Sequence, residues 1–448
     1  MKNLLPPAWG LMCLFALNSG LAAGPDNTDD WDISFSGSYR VRFQTMEHPF
    51  RTGLTGSDQG LQFRTLGKWQ ADHGPLTLVA EFQDSRTDLN DSGSYLNTLD
   101  INALGPLQLY AAWNTNHLKT RAGLFTMGYG NQRLVGRHGF RNTIQNFAGL
   151  QTEWLPEEGK SLSAFWVMPV RIKPDAPDGL EKNRIKLDKA DETLQLFGLY
   201  YTTVLPWHKL SLETYLFRLQ ESDKADKART ADRSLYTPGL RLVKSPAVKQ
   251  WDIEIETIYQ WGERYGSTRP EDTMALDVAS SFIHAGLGYT FNTPWQPHLQ
   301  VSWDRGSGDK QPGDMDFERF DNLFGPRREY GPTSIYGILG RSNTNSTQLR
   351  LEIKTSAKTD AMVAVRRNRL VSETDSFSSS GIRDASGLSG NDAGYQAEFR
   401  FRHWLKKDIF RLEAGGVKHF NGDFFTLAPN ATHEGDPVYF YTDLTLLF

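Results

Sequence analysis

A single cysteine, Cys13, occurs in the 448 residues, and it falls within an N-terminal segment that reads as removable. Without it the chain has no thiol, so no disulfide framework and no thiolate chemistry are available. Long apolar runs are also missing beyond that segment, and the mean hydropathy is −0.50. These two absences exclude a helical membrane protein. They leave a transmembrane β-barrel open, because lipid-facing and lumen-facing residues average out along each strand. Neither sign of charge dominates: 49 basic against 53 acidic residues give a formal net charge of −4. Such a balance carries no global nucleic-acid signature.

The N-terminus has the parts of a signal peptide. Lys2 supplies the positive end, Trp9 to Leu17 a short apolar core, and Leu21-Ala22-Ala23 a small-residue cleavage site. The expected processing removes residues 1–23 and leaves 24–448 as one domain. That loss takes away Lys2 alone among the charges and leaves 48 basic and 53 acidic residues, a formal charge of −5.

Strong period-two alternation runs through the rest. From Ile33 to Phe43 the odd positions are Ile, Phe, Gly, Tyr, Val and Phe, while the even ones are Ser, Ser, Ser, Arg and Arg. Leu76/Leu78/Ala80/Phe82 oppose Thr77/Glu81/Gln83, and Tyr395/Ala397/Phe399/Phe401 oppose Gln396/Glu398/Arg400/Arg402. The final stretch sets Val438, Phe440, Leu444 and Phe448 against Tyr439, Tyr441 and Asp443. A strand of this kind buries one face and wets the other. Runs of about ten residues exceed the usual five or six of soluble sheets and match the length a tilted strand needs to cross a bilayer. Aromatic residues at strand ends, among them Trp113, Trp154, Trp166, Tyr200, Trp261 and Trp295, suit interfacial belts.

Connections fall into two classes. Asp72–Pro75, Gly105-Pro106, Pro206–His208 and Asn292–Trp295 read as short turns. Asp84–Thr98, Met127–Asn146, Arg171–Glu192, Gln220–Thr237, Gly262–Ala279, Gly306–Asn345 and Asn368–Asp392 read as long polar loops. At roughly 23 to 25 residues per strand with half its loops, the chain allows about 18 strands, or 16. The expected fold is all-β: a closed transmembrane antiparallel barrel, with short periplasmic turns, long extracellular loops and the last strand paired to the first. The terminal Phe448 resembles the insertion signal of outer-membrane barrels.

Four ordered blocks resemble the alginate export family of outer-membrane β-barrel porins: Glu81–Arg86, Gly128–Thr143, Trp303–Asp309 and Phe320–Pro326. The chain departs from that family's pattern at Phe147-Ala148-Gly149 and in the Arg-, Pro- and Gly-rich loop Phe317–Asn345. The resemblance implies a passive outer-membrane channel for anionic polysaccharide such as alginate, or for other anionic solutes. Two alternatives stand beside it: an uptake porin for small molecules, and an outer-membrane barrel enzyme or adhesin. No Ser-His-acid arrangement is recognisable, so no catalytic residue is assigned.

Arg133, Arg137 and Arg141 recur every four residues in a Gly-rich loop. Arginine meets carboxylates in a planar two-bond fork, so a cluster in a narrow bore selects anions. The same residues on an outer loop would meet lipopolysaccharide phosphates or merely keep it soluble. Arg40, Arg42 and Arg64 on lumen faces favour the pore reading. Replacing Arg133 and Arg137 by Glu is then expected to weaken or invert anion preference and leave barrel stability nearly unchanged. Glu81, Asp84 and Arg86 either hold a loop or touch cargo, and many lumen charges are expected to pair with one another. Asp304, Asp309, Asp314 and Asp316 lack the spacing of a calcium loop and read as solvated carboxylates, so no cofactor is expected. The expected partners are outer-membrane lipid, lipopolysaccharide and the anionic cargo, with no nucleic acid, and the expected state is a monomer.

Overall fold

The structure is a computed structural model that describes residues 30–91, 93–206, 209–224 and 229–448. The expected signal peptide and most of the Pro206–His208 turn lie outside the described residues. The alternating segments form β1 (Asp32–Glu47), β2 (Ser57–His73), β3 (Leu76–Asp88), β4 (Asn102–Asn114), β5 (Leu118–Phe125) and β6 (Phe147–Trp154). They continue as β7 (Lys160–Pro169), β8 (Leu194–Leu205), β9 (Leu210–Glu221), β10 (Ser234–Lys244), β11 (Trp251–Tyr265), β12 (Ala275–Thr290) and β13 (His298–Gly306). The last are β14 (Asp316–Phe317), β15 (Thr344–Ser356), β16 (Thr359–Arg369), β17 (Asp392–Lys406), β18 (Phe410–Asn421) and β19 (Val438–Leu447).

All but β14 form one continuous antiparallel wall of 18 strands. The two-residue β14 lies parallel to β12, with Asp277 opposite Asp316. Closure is the expected one: β19 pairs with β1, Leu446 opposite Tyr39 and Leu444 opposite Val41. No edge is left for lipid, which could not satisfy its backbone groups. The outer face is apolar, with Leu109 60 % and Val363 53 % exposed. Inward positions such as Gln62, Glu81, Asp252 and Glu398 are buried. No helix among the described residues is long and apolar enough to cross a membrane.

Several local expectations are corrected. Many strands are longer than ten residues, with 16 in β1, 17 in β2 and 16 in β12, while β5 and β6 have only 8. About ten suffice to cross the hydrocarbon, so the excess carries the wall beyond it. Gly105-Pro106 is not a turn. It lies inside β4, where the ladder to β3 slips between Glu81 and Phe82 and again between Gln83 and Ser85. A proline has no N–H to give, and such an irregularity accommodates it. Asp84 begins no loop either, because β3 runs on to Asp88. Tyr200 is turned into the barrel at 6 % exposure rather than standing in a belt.

Loops fill much of the lumen. Met127, Leu134, Val135 and Phe320 pack on wall residues that include Phe125, Phe165, Phe217 and Phe282. A second apolar group joins Tyr330, Ile335, Tyr336, Ile338 and Leu339 to Met46, Val417, Tyr439 and Tyr441 of the wall. The two inward loops lock together: Val135 bridges Phe324, whose N–H donates to the Leu134 carbonyl at 2.8 Å. Their contact is so close that a Cβ on Gly325 would stand 1.8 Å from the Arg133 carbonyl oxygen. Only glycine fits there.

Candidate pore constriction

The segment between β5 and β6 leaves the wall at Phe125, crosses the lumen and returns at Phe147. Its arginines behave differently from one another. Arg133 is 2 % exposed. Its Nη1 lies 2.6 Å from Glu254 Oε1 and 2.5 Å from Glu256 Oε2 on β11, and its Nε 3.2 Å from Glu329 Oε2 on the second inward loop. Burial alone would lower its pKa, but Glu329, Glu256 and Glu254 hold it well above the ordinary arginine value. Its charge is neutralised by three carboxylates, so Arg133 is a latch across the barrel.

Arg137 reaches the other wall. Its Nη2 is 3.0 Å from Glu81 Oε1 and its Nη1 donates to Thr126 Oγ1 at 2.9 Å, while 37 % of its side chain stays exposed. Arg141 has no carboxylate and no hydrogen-bond acceptor for its guanidinium among the described residues. Burial, then the nearby charge of Arg327, pulls its pKa down to about 9.

The wall arginines grip the backbone of this loop. Arg40 donates to the carbonyls of Phe140 at 3.1 Å and Arg141 at 2.9 Å. Arg64 Nη1 donates to the carbonyls of Gly139 at 2.9 Å and Arg141 at 2.8 Å. Arg42 pairs with Asp443 at 2.7 Å, donates to the Phe140 carbonyl at 2.7 Å and lies 3.9 Å from that ring's centroid. Peptide carbonyls orient these guanidinium groups without supplying a counter-charge, and neither Arg40 nor Arg64 has a carboxylate partner among the described residues.

Glu81 faces inward and also accepts from Gln108 Nε2 at 2.5 Å. Asp84 and Arg86 do not join it. An odd spacing along a strand places them on the opposite face from Glu81. There the Arg86 Nε donates to Asp84 Oδ1 at 2.9 Å, and Asp84 accepts from the Leu104 N–H at 3.1 Å. The pair ties β3 to the start of β4 on the outside of the wall, so its assignment to the pore is withdrawn. Asp304 is likewise no solvated loop residue: it is buried on β13 between His284 at 2.6 Å and Arg366 at 2.9 Å. Among the described residues no cluster of three His, Cys, Asp or Glu could hold a metal ion.

Three further residues lie close to these arginines. Arg327 has no ion pair among the described residues, and burial with Arg51 and Arg341 nearby lowers its pKa to about 10. Arg51 donates to the carbonyls of Ile335 at 2.7 Å and Gly337 at 3.2 Å. Asp100 is 1 % exposed and accepts from Gln62 Nε2 at 3.0 Å and Ser334 Oγ at 3.2 Å; burial raises its pKa to about 6. The Arg-rich composition of Phe317–Asn345 was the available signal for Arg327. Nothing in the sequence singled out Arg51 or Asp100.

Comparison with known proteins agrees with this architecture. Among solved structures, the Pseudomonas aeruginosa OccK8 (OprE) barrel superposes with a TM-score of 0.60 at 8 % identity, over 93 % of this chain and 98 % of its own. Acinetobacter baumannii OccAB1 gives 0.59 at 8 % identity over 93 % and 97 %. Pseudomonas aeruginosa OccK2 (OpdF), solved in complex with glucuronate, gives 0.57 at 11 % identity over 92 % and 98 %. At such identities the likeness shows a shared fold. No curated protein matches in sequence. The family model for alginate export matches residues 32–438, and with the closed 18-strand wall it fixes the class: the chain is an outer-membrane porin channel belonging to the alginate export family.

Proposed function

We propose that the channel passes carboxylate-bearing sugars by passive diffusion, selected by Arg40, Arg64, Arg137, Arg141 and Arg327. One observation carries this reading. Arg40, Arg51, Arg64, Arg141 and Arg327 form no ion pair among the described residues, although acids pair with most other buried arginines. Burying uncompensated charge is costly, and a passing anion relieves that cost inside the lumen. Arg137 adds a half-exposed guanidinium whose partner, Glu81, it can release. The glucuronate complex of the similarly folded OccK2 supports a uronate-sized cargo.

A second reading, export of a uronate polymer, is favoured by the family match. The buried residues of the second inward loop stand against it in this conformation, because a threaded chain needs that segment displaced. Planar-bilayer recordings separate the two. Glucuronate and short uronate oligomers should carry or block current through the parent channel, whereas long polyuronate should not enter. Arg141→Gln with Arg327→Gln should reduce the reversal potential across a potassium chloride gradient to near zero. An unchanged reversal potential would remove the arginines from the selectivity filter.

A further inference from the structure

A second basic cavity opens at the long-loop mouth, distinct from the constriction. Arg171, Glu221, Arg229, Thr230, Arg233 and Arg264 line a cleft of about 290 Å³. The connections β7–β8, β9–β10 and β11–β12 assemble it. Arg171 follows β7 and is fixed by a two-way backbone bridge to Lys189, at 2.7 and 3.1 Å. Glu221 ends β9, Arg233 precedes β10, and Arg264 lies at the end of β11. Two of the four arginines are neutralised. Arg233 pairs with Glu221 at 2.8 Å and with Asp321 at 2.9 Å, and Arg229 lies 3.4 Å from Asp223. The other two have no carboxylate partner among the described residues. Arg171 Nη2 donates only to Thr193 Oγ1, at 3.1 Å. Arg264 Nε donates to the Tyr265 carbonyl at 2.9 Å, and its guanidinium rests 4.0 Å from the Phe317 ring centre.

We propose that this cleft is a capture site for one uronate unit, whether a free sugar acid or the end of a chain. The inference rests on the anion-channel reading and adds to it a second, outer site. Arg264, oriented through its Nε, keeps both terminal nitrogens to match a planar carboxylate, and Arg171, held through Nη2, keeps its Nε and Nη1 donors. The Glu221 carboxylate and the Thr268 hydroxyl on the same lining offer partners for ring hydroxyls, which an inorganic anion does not have. The volume matches a single pyranose. Positive charge at the mouth also raises the local concentration of the anion that the constriction then admits.

Titration calorimetry on the full-length protein in detergent, with glucuronate, glucose and inorganic phosphate as probes, tests the site. Glucuronate should bind Arg171→Gln/Arg264→Gln about tenfold more weakly than it binds the parent, and should bind the parent tighter than either other probe. Arg264→Lys keeps charge but removes the fork, so it should weaken glucuronate about threefold. Glucuronate affinity unchanged in both cleft variants would overturn the site, and phosphate binding as tight as glucuronate would overturn the sugar-acid assignment. In bilayers the cleft variants should retain anion preference. Its loss only in Arg141→Gln/Arg327→Gln separates failure of the outer site from failure of the constriction.

Discussion

A carboxyl buried beside arginines reports pH through the field that it cancels. Asp100, whose pKa is raised to about 6 by burial, is ionised at pH 7.5 and neutral at pH 5. Arg141, at about 9, stays charged at both. Around Asp100 stand Gln62 and Asp58 of β2, Ser334 of the second inward loop, the Asn97 N–H, and the charges of Arg51 and Arg141. Acidification therefore removes one negative charge from the basic cluster, and anion preference should rise between pH 7 and pH 5. The stability sign follows: a carboxyl with a raised folded-state pKa penalises folding above about pH 6, and the penalty fades as pH falls toward the unfolded value of about 3.9. Asp100→Asn should flatten the selectivity profile in reversal-potential measurements. Persistence of the full pH step in that variant would assign it elsewhere. The spacing of Arg133, Arg137 and Arg141 marked the loop, but a four-residue repeat could not say which arginine meets an acid. Arg133 finds Glu254 and Glu256 more than a hundred residues away, and only the closed wall brings them together.

At the scale of elements, the alternation revealed the strands and their faces because one residue per step must meet lipid and the next the lumen. It left the irregularities unread: the slip in β4 at Gly105-Pro106 depends on the β3 ladder, and the burial of Tyr200 depends on a loop folded over it. The loop latch follows from the same packing and reverses an expectation. Replacing Arg133 does not leave the protein indifferent, because it strands Glu254, Glu256 and Glu329 in a buried site. Removing one partner of such a group costs about 3–5 kcal/mol. Arg133→Gln should release the loop, raise single-channel conductance and its open-state noise, and lower the temperature at which the inward loops lose protection from protease. Arg137→Gln, half-exposed and paired once, should leave that temperature within a few degrees of the parent. Equal behaviour of the two variants would deny Arg133 its latching role.

For the whole molecule the decisive feature is closure, and the seam between β1 and β19 has its own steric requirement. Gly37 and Phe448 exchange backbone hydrogen bonds at 2.7 and 3.1 Å, and the Phe448 ring lies 5.7 Å from Phe35. A Cβ on Gly37 would stand 2.5 Å from both the Leu66 carbonyl oxygen and the Phe448 ring. The first obstacle is backbone of the paired strand β2 and cannot swing aside. Gly37→Val must therefore push β1 away from β2 and also displace the Phe448 ring at the seam, and every wall strand depends on closure because a barrel has no spare edge. The variant should lower the temperature at which the folded band converts to the unfolded one in detergent electrophoresis. Gly67→Val provides the control: its Cβ would meet nothing nearer than 3.8 Å, so its transition should stay near the parent's. Deleting Phe448 removes the same two hydrogen bonds and the ring, and should leave more protein unassembled and protease-sensitive. Normal assembly and heat resistance in both Gly37→Val and the Phe448 deletion would show that closure is held by the remaining register of β1 with β19, from Ser38–Leu447 to Glu47–Val438.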